Sequence, residues 1–333
     1  MKARYINKLV GSVVVGACLL AATGQQAKAG EMYQGWNYSI DSFSDAYGGS
    51  DYEIKGMAVT ETDDSVYVAL TGGTPLDGHY YGEDSWYMGQ DIGWGDMFFN
   101  FSGQDFATAE ANGELYGVRF AGTNDSGVDQ VGLFSNVSTQ NVAAANGGYS
   151  NNYDYYQNYA RENTMGTDIS TTDEAYSYLY GDDVANNLTP DLLPGSTRAE
   201  RRENRRRIRA QEEANRENTQ FQNVIGSGNF LGEINVLDGA ALAAQGLDFG
   251  YFGANGSQTF GFQLDKSLLG GVLPGGINSF MAHVLLECAN DGVAIAGNID
   301  IPVQEQDVPE PAGLLSLGFA GLAFLKSRKG RQA

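Results

Sequence analysis

Cysteine and histidine are nearly missing from this chain, with two of each in 333 residues. Cys18 falls in the N-terminal leader, so a chain cleaved after Ala29 keeps only Cys288 and has no intrachain disulfide. Cys288 shares the alternation of Phe280, Ala282, Val284 and Leu286, which predicts a small buried hydrophobe and not a nucleophile. The histidines, His79 and His283, lie in no zinc-type spacing, and His283 alternates away from the apolar side of its strand. Any Ser-His-Asp site would need one of these two, and no nucleophile-elbow sequence accompanies them. P-loop and dinucleotide fingerprints are absent as well.

Basic residues are scarce wherever acidic ones are found. No Asp or Glu precedes Glu31 or follows Glu310, while eight of the 20 Lys and Arg sit in the two ends. The middle is left with 12 basic against 41 acidic residues, a net charge of −29. A field of that sign repels nucleic acid and anionic lipid and favours solubility and cationic partners. Nucleic acid is therefore not an expected partner.

The front of the chain accounts for its own positive charge. "MKARYINK" is a basic n-region, Leu9 to Ala22 is a short apolar run, and Ala27 and Ala29 are the small residues that signal peptidase reads. A lipoprotein site at Val15-Gly16-Ala17-Cys18 is the competing reading.

Within the mature chain, apolar residues repeat with a period of two. Val66, Val68 and Leu70 share one side, as do Met97, Phe99 and Phe101; Tyr116, Val118 and Phe120; and Phe260, Phe262 and Leu264. Gly, Asp, Asn and Thr bound each run, which is the pattern of half-buried antiparallel strands. The expected fold is all-β, an antiparallel β-sandwich or jelly roll. One short helix is predicted at "LDGAALAAQG", capped by Asp238 and ended by Gly246.

The stretch from about 141 to 222 breaks the pattern. It is rich in Tyr and Asn and has no two-residue period, so it reads as a long polar insertion or mobile loop. Inside it Thr197 and Glu200 form a capping box, and Glu203–Arg207 and Glu212–Arg216 have four-residue spacing, predicting a helix at about 197–217. Eight of the body's 12 basic residues lie there and Ile208 is its one large hydrophobe. Two readings stand: a solvated charged helix, or a cationic arm touching anionic extracellular polysaccharide or the protein's own acidic body.

Carboxylates are plentiful. Asp41, Asp45, Asp51 and Glu53 in one segment, and Asn124, Asp125 and Asp129 in another, could offer oxygen to calcium. Neither has EF-hand spacing, and Asp and Asn also favour turns, so turn and solubility roles are expected and no metal or cofactor. Trp94 and Phe98 are weak candidates for an exposed sugar-binding face, with core packing the default. N-x-S/T tripeptides at Asn37, Asn100, Asn124, Asn136, Asn187 and Asn255 are compatible with chance in so Asn-rich a chain.

The tail is the most informative segment. Pro309-Glu310-Pro311 is followed by uncharged residues from Ala312 to Leu325, then by Lys326, Arg328, Lys329 and Arg331. Fourteen residues are short for a span, and the basic flank favours the cytoplasmic side, leaving the acidic body outside. This order resembles the PEP-CTERM sorting signal of Gram-negative bacteria. The resemblance implies an exosortase as processing partner, with signal peptidase acting at the other end, and a transient inner-membrane anchor. More loosely, "SDYEIKGMAVTETDDSVYVAL", "GWGDMFFNFSG", "SQTFGFQLDKSLL" and "AHVLLECANDGVAIAG" resemble cyanobacterial exosortase-dependent surface proteins. No catalytic residues come with that resemblance, and the Arg-rich helix departs from it.

The resulting organisation is a signal peptide (1–29), a β-sandwich in two parts (30–140 and 223–303), the insertion (141–222) and the sorting signal (304–333). The function expected is that of an exported, exosortase-processed protein of the cell surface or extracellular matrix, without catalytic activity. The alternatives are a carbohydrate-binding module for extracellular polysaccharide and a polysaccharide hydrolase using two carboxylates.

Overall fold

Alternation sets where strands form, and it marks runs on both sides of the 141–222 segment. The computed structural model describes residues 30–43, 45, 49–80, 91–159 and 164–302. The signal-peptide residues Ala27 and Ala29, the sorting motif Pro309, Glu310 and Pro311, and the basic end Lys326, Arg328, Lys329 and Arg331 lie outside the described residues.

The chain is mostly β, with antiparallel pairing throughout. The first strands are β1 (Glu31–Tyr33), β2 (Trp36–Ile40), β3 (Ile54–Glu61), β4 (Ser65–Gly72), β5 (His79–Tyr80), β6 (Asp91–Ile92) and β7 (Met97–Asn100). After helix α1 (Phe106–Ala111) come β8 (Leu115–Arg119) and β9 (Gly132–Gln140). Four helices follow: α2 (Asn152–Tyr159), α3 (Thr172–Tyr180), α4 (Asp182–Ala185) and α5 (Arg198–Asn218). The chain then adds β10 (Val224–Gly232), β11 (Asn235–Asp238), α6 (Gly239–Ala244), β12 (Gln258–Asp265), α7 (Lys266–Gly270), β13 (Gly276–Leu285) and β14 (Gly292–Ile301).

Among the described residues the strands form two six-stranded sheets. The first has the order β1-β2-β3-β4-β12-β11 and the second β10-β9-β8-β7-β13-β14, while β5 and β6 form a separate pair. One hydrophobic cluster draws Val66, Val68, Leu70, Phe260, Phe262 and Leu264 from the first sheet. It takes Met97, Phe99, Val118, Val284, Ile295 and Ile299 from the second. The alternating residues of β4, β7, β8 and β12 thus meet in a common interior, with Phe101 and Tyr116 at its margin.

The other faces are not left to water, which departs from the half-buried strands expected. On the first sheet, Trp36, Tyr38, Ala58 and Ala69 are covered by Leu242 of α6 and by Leu247 and Phe249. On the second, Phe98, Leu115, Phe134 and Ile225 are covered by Phe106 and Ala109 of α1. Burial on both faces makes "MAVT" and "YVAL" nearly continuous apolar runs, so alternation alone understates how deep these strands lie.

The segment between β9 and β10 differs most from its sequence expectation. It is not a polar excursion. Ala143, Tyr155, Met165, Ile169, Ala175, Leu179 and Phe221 form a cluster with Leu285, Ala289 and Ala294 around the β13–β14 turn. A Cβ at Gly148 would overlap the Cys288 carbonyl, so the segment's backbone lies directly on the chain after β13. It also covers the free edge of β14: the Ala294 amide donates to the Met165 carbonyl (2.8 Å) and the Ala296 amide to Asp168 Oδ2 (2.8 Å). An edge strand with satisfied amides cannot template another chain.

Local rules did place the helices they govern. Thr197 and Glu200 make both bonds of the capping box at the start of α5, and Asp238 accepts the Ala241 amide at the start of α6. Glu203 pairs with Arg207 at 3.7 Å, but Arg216 turns to Asp154 of α2 (2.9 Å) and not to Glu212. The tertiary carboxylate takes the guanidinium because both of its oxygens accept from Arg216 Nε (2.9 and 3.1 Å), a charge-assisted contact.

Candidate functional site

Carboxylates distinguish this chain, so their placement in the fold is the natural place to look for a site. Asp41 directly follows β2 and extends its ladder, its amide donating to the Lys55 carbonyl (3.1 Å). Alternation along β2 puts Asn37, Ser39 and Asp41 on the side that faces β14, where Asn37 Nδ2 donates to the Ala296 carbonyl (2.7 Å). Asp45 lies four residues on, and Thr164 of the insertion donates to its Oδ2 through both amide (3.3 Å) and hydroxyl (3.1 Å).

Asp291 arrives from the far end of the chain. The turn between β13 and β14 is tight, with the Leu286 amide bonded to the Asp291 carbonyl (3.1 Å) and Ala289 at φ +52°. That value is rare for a residue other than glycine, asparagine or aspartate, and the surrounding cluster holds it. The turn delivers Asp291 beside the start of β3, where its Oδ2 accepts the Ile54 amide (2.6 Å) and its Oδ1 the Gly292 amide (2.8 Å).

The three side chains converge. Each of Asp41, Asp45 and Asp291 offers an oxygen, and these oxygens all lie within 4.8 Å of one another. Asp41 is 5% exposed, Asp45 8% and Asp291 0%, with Glu53 buried alongside. Burial raises the Asp41 carboxyl well above the usual range, and the charges of Asp291, Asp45 and Glu53 raise it further. The Ser42 amide pulls the other way without making a well-formed hydrogen bond, for neither Asp41 oxygen has a partner in bonding geometry. Asp291 is raised for the same reasons, burial first and then Asp45 and Glu53, against the relief given by its two amide bonds. Among the described residues no lysine or arginine pairs with Asp41 or Asp291.

A solubility role therefore does not describe Asp41 and Asp45, which are buried. Asp51, expected in the same group, is exposed and stands outside it. Asp291 carries no local signal linking it to Asp41.

The second acidic segment has a different fate. Arg119 is buried and its guanidinium donates to Asn124 Oδ1 (3.0 Å) and to the carbonyls of Val128 (2.8 Å), Asp129 (2.6 Å) and Gly122 (3.0 Å). Arg119 thus takes the Asn124 side-chain oxygen and the Asp129 carbonyl, while Asp125 Oδ2 accepts from Asn146 Nδ2 (2.9 Å). Beneath this loop Asp96 accepts from the Ile225 amide, Ser126 Oγ and Asn124 Nδ2, each at 2.7 Å. Burial still lifts Asp96 to about 6. Glu287 accepts the Asp125 amide (2.6 Å) and the Gly93 amide (2.8 Å), and burial lifts it to about 7.

The remaining sequence candidates are structural. Trp94 and Phe98 are buried and offer no platform to a sugar; Trp94 Nε1 donates to the Thr74 carbonyl (3.0 Å) and Phe98 packs on Phe106. Cys288 lies in the shared core, its thiol pushed up to about 12 by burial. His283 does point away from that core, but it is fully buried beneath α1 and α3, and its Nδ1 shares a 2.8 Å hydrogen bond with the Tyr178 hydroxyl. Burial lowers its pKa to about 3.

Comparison with family models, with curated proteins and with solved structures finds no match to this chain. Among the described residues no helix is long and apolar enough to cross a membrane.

Proposed function

We propose that this is an exported, exosortase-processed protein of the cell surface or extracellular matrix, acting through its folded body and not through catalysis. The observation that carries the reading is the order of the C-terminal sequence: Pro309-Glu310-Pro311, an uncharged run to Leu325, then four basic residues. The N-terminal leader, with Ala27 and Ala29 at the cleavage positions, is the matching entry signal. The fold supports this arrangement in one respect. Ile301, the last residue of β14, is buried, and Pro309 follows it by eight positions in the sequence. In this reading the two six-stranded sheets form a β-sandwich around their shared cluster, and the surplus of acidic groups keeps it soluble outside the cell.

Processing at the motif is tested by mass spectrometry of protein extracted from the cell surface. Peptides beyond about Pro311 should be missing, and changing the three motif residues to Ala should leave full-length protein in the inner membrane. Surface protein that retains Lys326 to Ala333 would reduce the tail to a permanent anchor.

Carbohydrate binding is a second reading with one observation in its favour. Tyr251 is exposed and stacks on Tyr33 at 3.7 Å, with Phe252 edge-on beside them, a small aromatic group at the margin of the cluster that covers the first sheet.

A further inference from the structure

Three buried carboxylates within 4.8 Å of one another are an unfavourable arrangement unless something positive or a shared proton lies between them. Two of the three have donors: Asp291 holds the amides of Ile54 and Gly292, and Asp45 holds Thr164. Asp41 differs. It is 95% withdrawn from solvent, both of its oxygens are without a hydrogen-bond partner, and one of them lies within 4.8 Å of an oxygen of each of the other two carboxylates. A buried polar group left unsatisfied is costly, the more so when charged, so native folds give it a partner. Ser39 Oγ, fully buried and likewise unpartnered, stands two residues earlier on the same side of the strand.

We propose that Asp41, Asp45 and Asp291 form a calcium site, with Glu53 beside them. The donors are oxygen only, which selects a hard cation and disfavours zinc or copper. Calcium fits better than magnesium. It accepts several carboxylates from the protein itself in flexible geometry, whereas magnesium keeps most of its water and demands a near-ideal octahedron. The ion would join three parts of the chain: the end of β2 through Asp41, the start of β14 through Asp291, and, through the Asp45–Thr164 bonds, the covering segment between β9 and β10. Calcium would thereby clamp the insertion to both sheets. The site does not depend on how the C-terminus is processed.

Calorimetric titration of calcium chloride into the full chain, freed of divalent ions by chelator, tests this. One site per chain should fill before the weak binding expected of any acidic surface, and calcium should raise the melting temperature while equal magnesium does much less. Asp41→Asn should weaken the site more than about 100-fold, since loss of even an outer partner of a ligand costs 10–100-fold. In chelator the same variant should melt no lower than the wild type, because it removes an unpartnered buried charge. Asp45→Asn is the second variant, chosen over a change at Asp291, whose carboxylate also holds two backbone amides. No stoichiometric binding at millimolar calcium would overturn the proposal and leave the three carboxyls sharing protons. Magnesium equal to calcium, or wild-type calcium affinity in both variants, would overturn it as well.

Discussion

His283 offers a sharp test of how the insertion is docked. Its ring lies fully buried among Phe98, Phe106 and Tyr178, with ring centroids 5.5, 4.7 and 5.4 Å away. Burial holds its folded pKa near 3, against 6.5 for a free histidine. A depressed pKa means that the histidine's contribution is complete above pH 6.5 and is lost as pH falls towards 3, because the unfolded chain takes up the proton first. Between pH 7 and pH 5 the linkage removes about 2 kcal/mol from the wild type. The double variant Tyr178→Phe/His283→Phe replaces both hydrogen-bonding partners with apolar rings of similar shape, an exchange that is nearly neutral at pH 7. It should therefore overtake the wild type on acidification, by about 2 kcal/mol at pH 5, or roughly 4–8 °C in melting temperature for a body of this size. Buried carboxylates that titrate in this range shift both proteins together and cancel in the difference. The single variant Tyr178→Phe should instead lose about 1–3 kcal/mol at every pH, since it strands the histidine Nδ1. Urea unfolding at pH 7, 6 and 5 measures all three. If the wild type and the double variant keep a constant difference across that range, His283 is not held neutral by burial and the reasoning fails.

The insertion and the core cysteine give two further tests. Tyr155 is fully buried and its hydroxyl donates to the Asn290 carbonyl (2.9 Å), so Tyr155→Ala should cost about 3–5 kcal/mol, measured by urea unfolding. Replacement of residues 145–218 by a short Gly-Ser linker should yield insoluble protein, because it bares Leu285, Ala289 and Ala294; an unchanged melting temperature would refute that packing. Cys288, 1% exposed and with its thiol pushed up to about 12, should resist an aromatic disulfide reagent at pH 8 until denaturant is added; rapid labelling of the native chain would contradict its burial.

What the sequence determined by itself is whatever depends on near neighbours along the chain. The period of two put Val66, Val68 and Leu70, and likewise Phe260, Phe262 and Leu264, on one face because successive strand residues must point to opposite sides. Cys288 is buried in phase with that alternation, although it lies in the turn beyond Leu285 and not on the strand expected, and the caps at Thr197 and Asp238 followed from the unpaired amides of a helix start. The proposed leader and sorting signal rest on the sequence alone, as ordered charge and apolarity in one dimension.

The tertiary structure decided what lies against each face. A sheet does not disclose whether its second side will be covered, so Trp94, Phe98 and His283 could be assigned a direction but not a depth. The segment between β9 and β10 has no strong period because its apolar residues are spread thinly, and Tyr155, Met165, Ile169 and Phe221 become a cluster only on the surface of β13 and β14. Arg216 chose Asp154 over Glu212 for the same reason, a partner brought near by packing and not by helical spacing. Asp41 and Asp291 mark the limit most clearly. They are 250 residues apart, and no local rule connects them. Register is set by strand pairing across the whole chain, and that pairing alone brings the end of β2 against the turn before β14 and buries their carboxylates together.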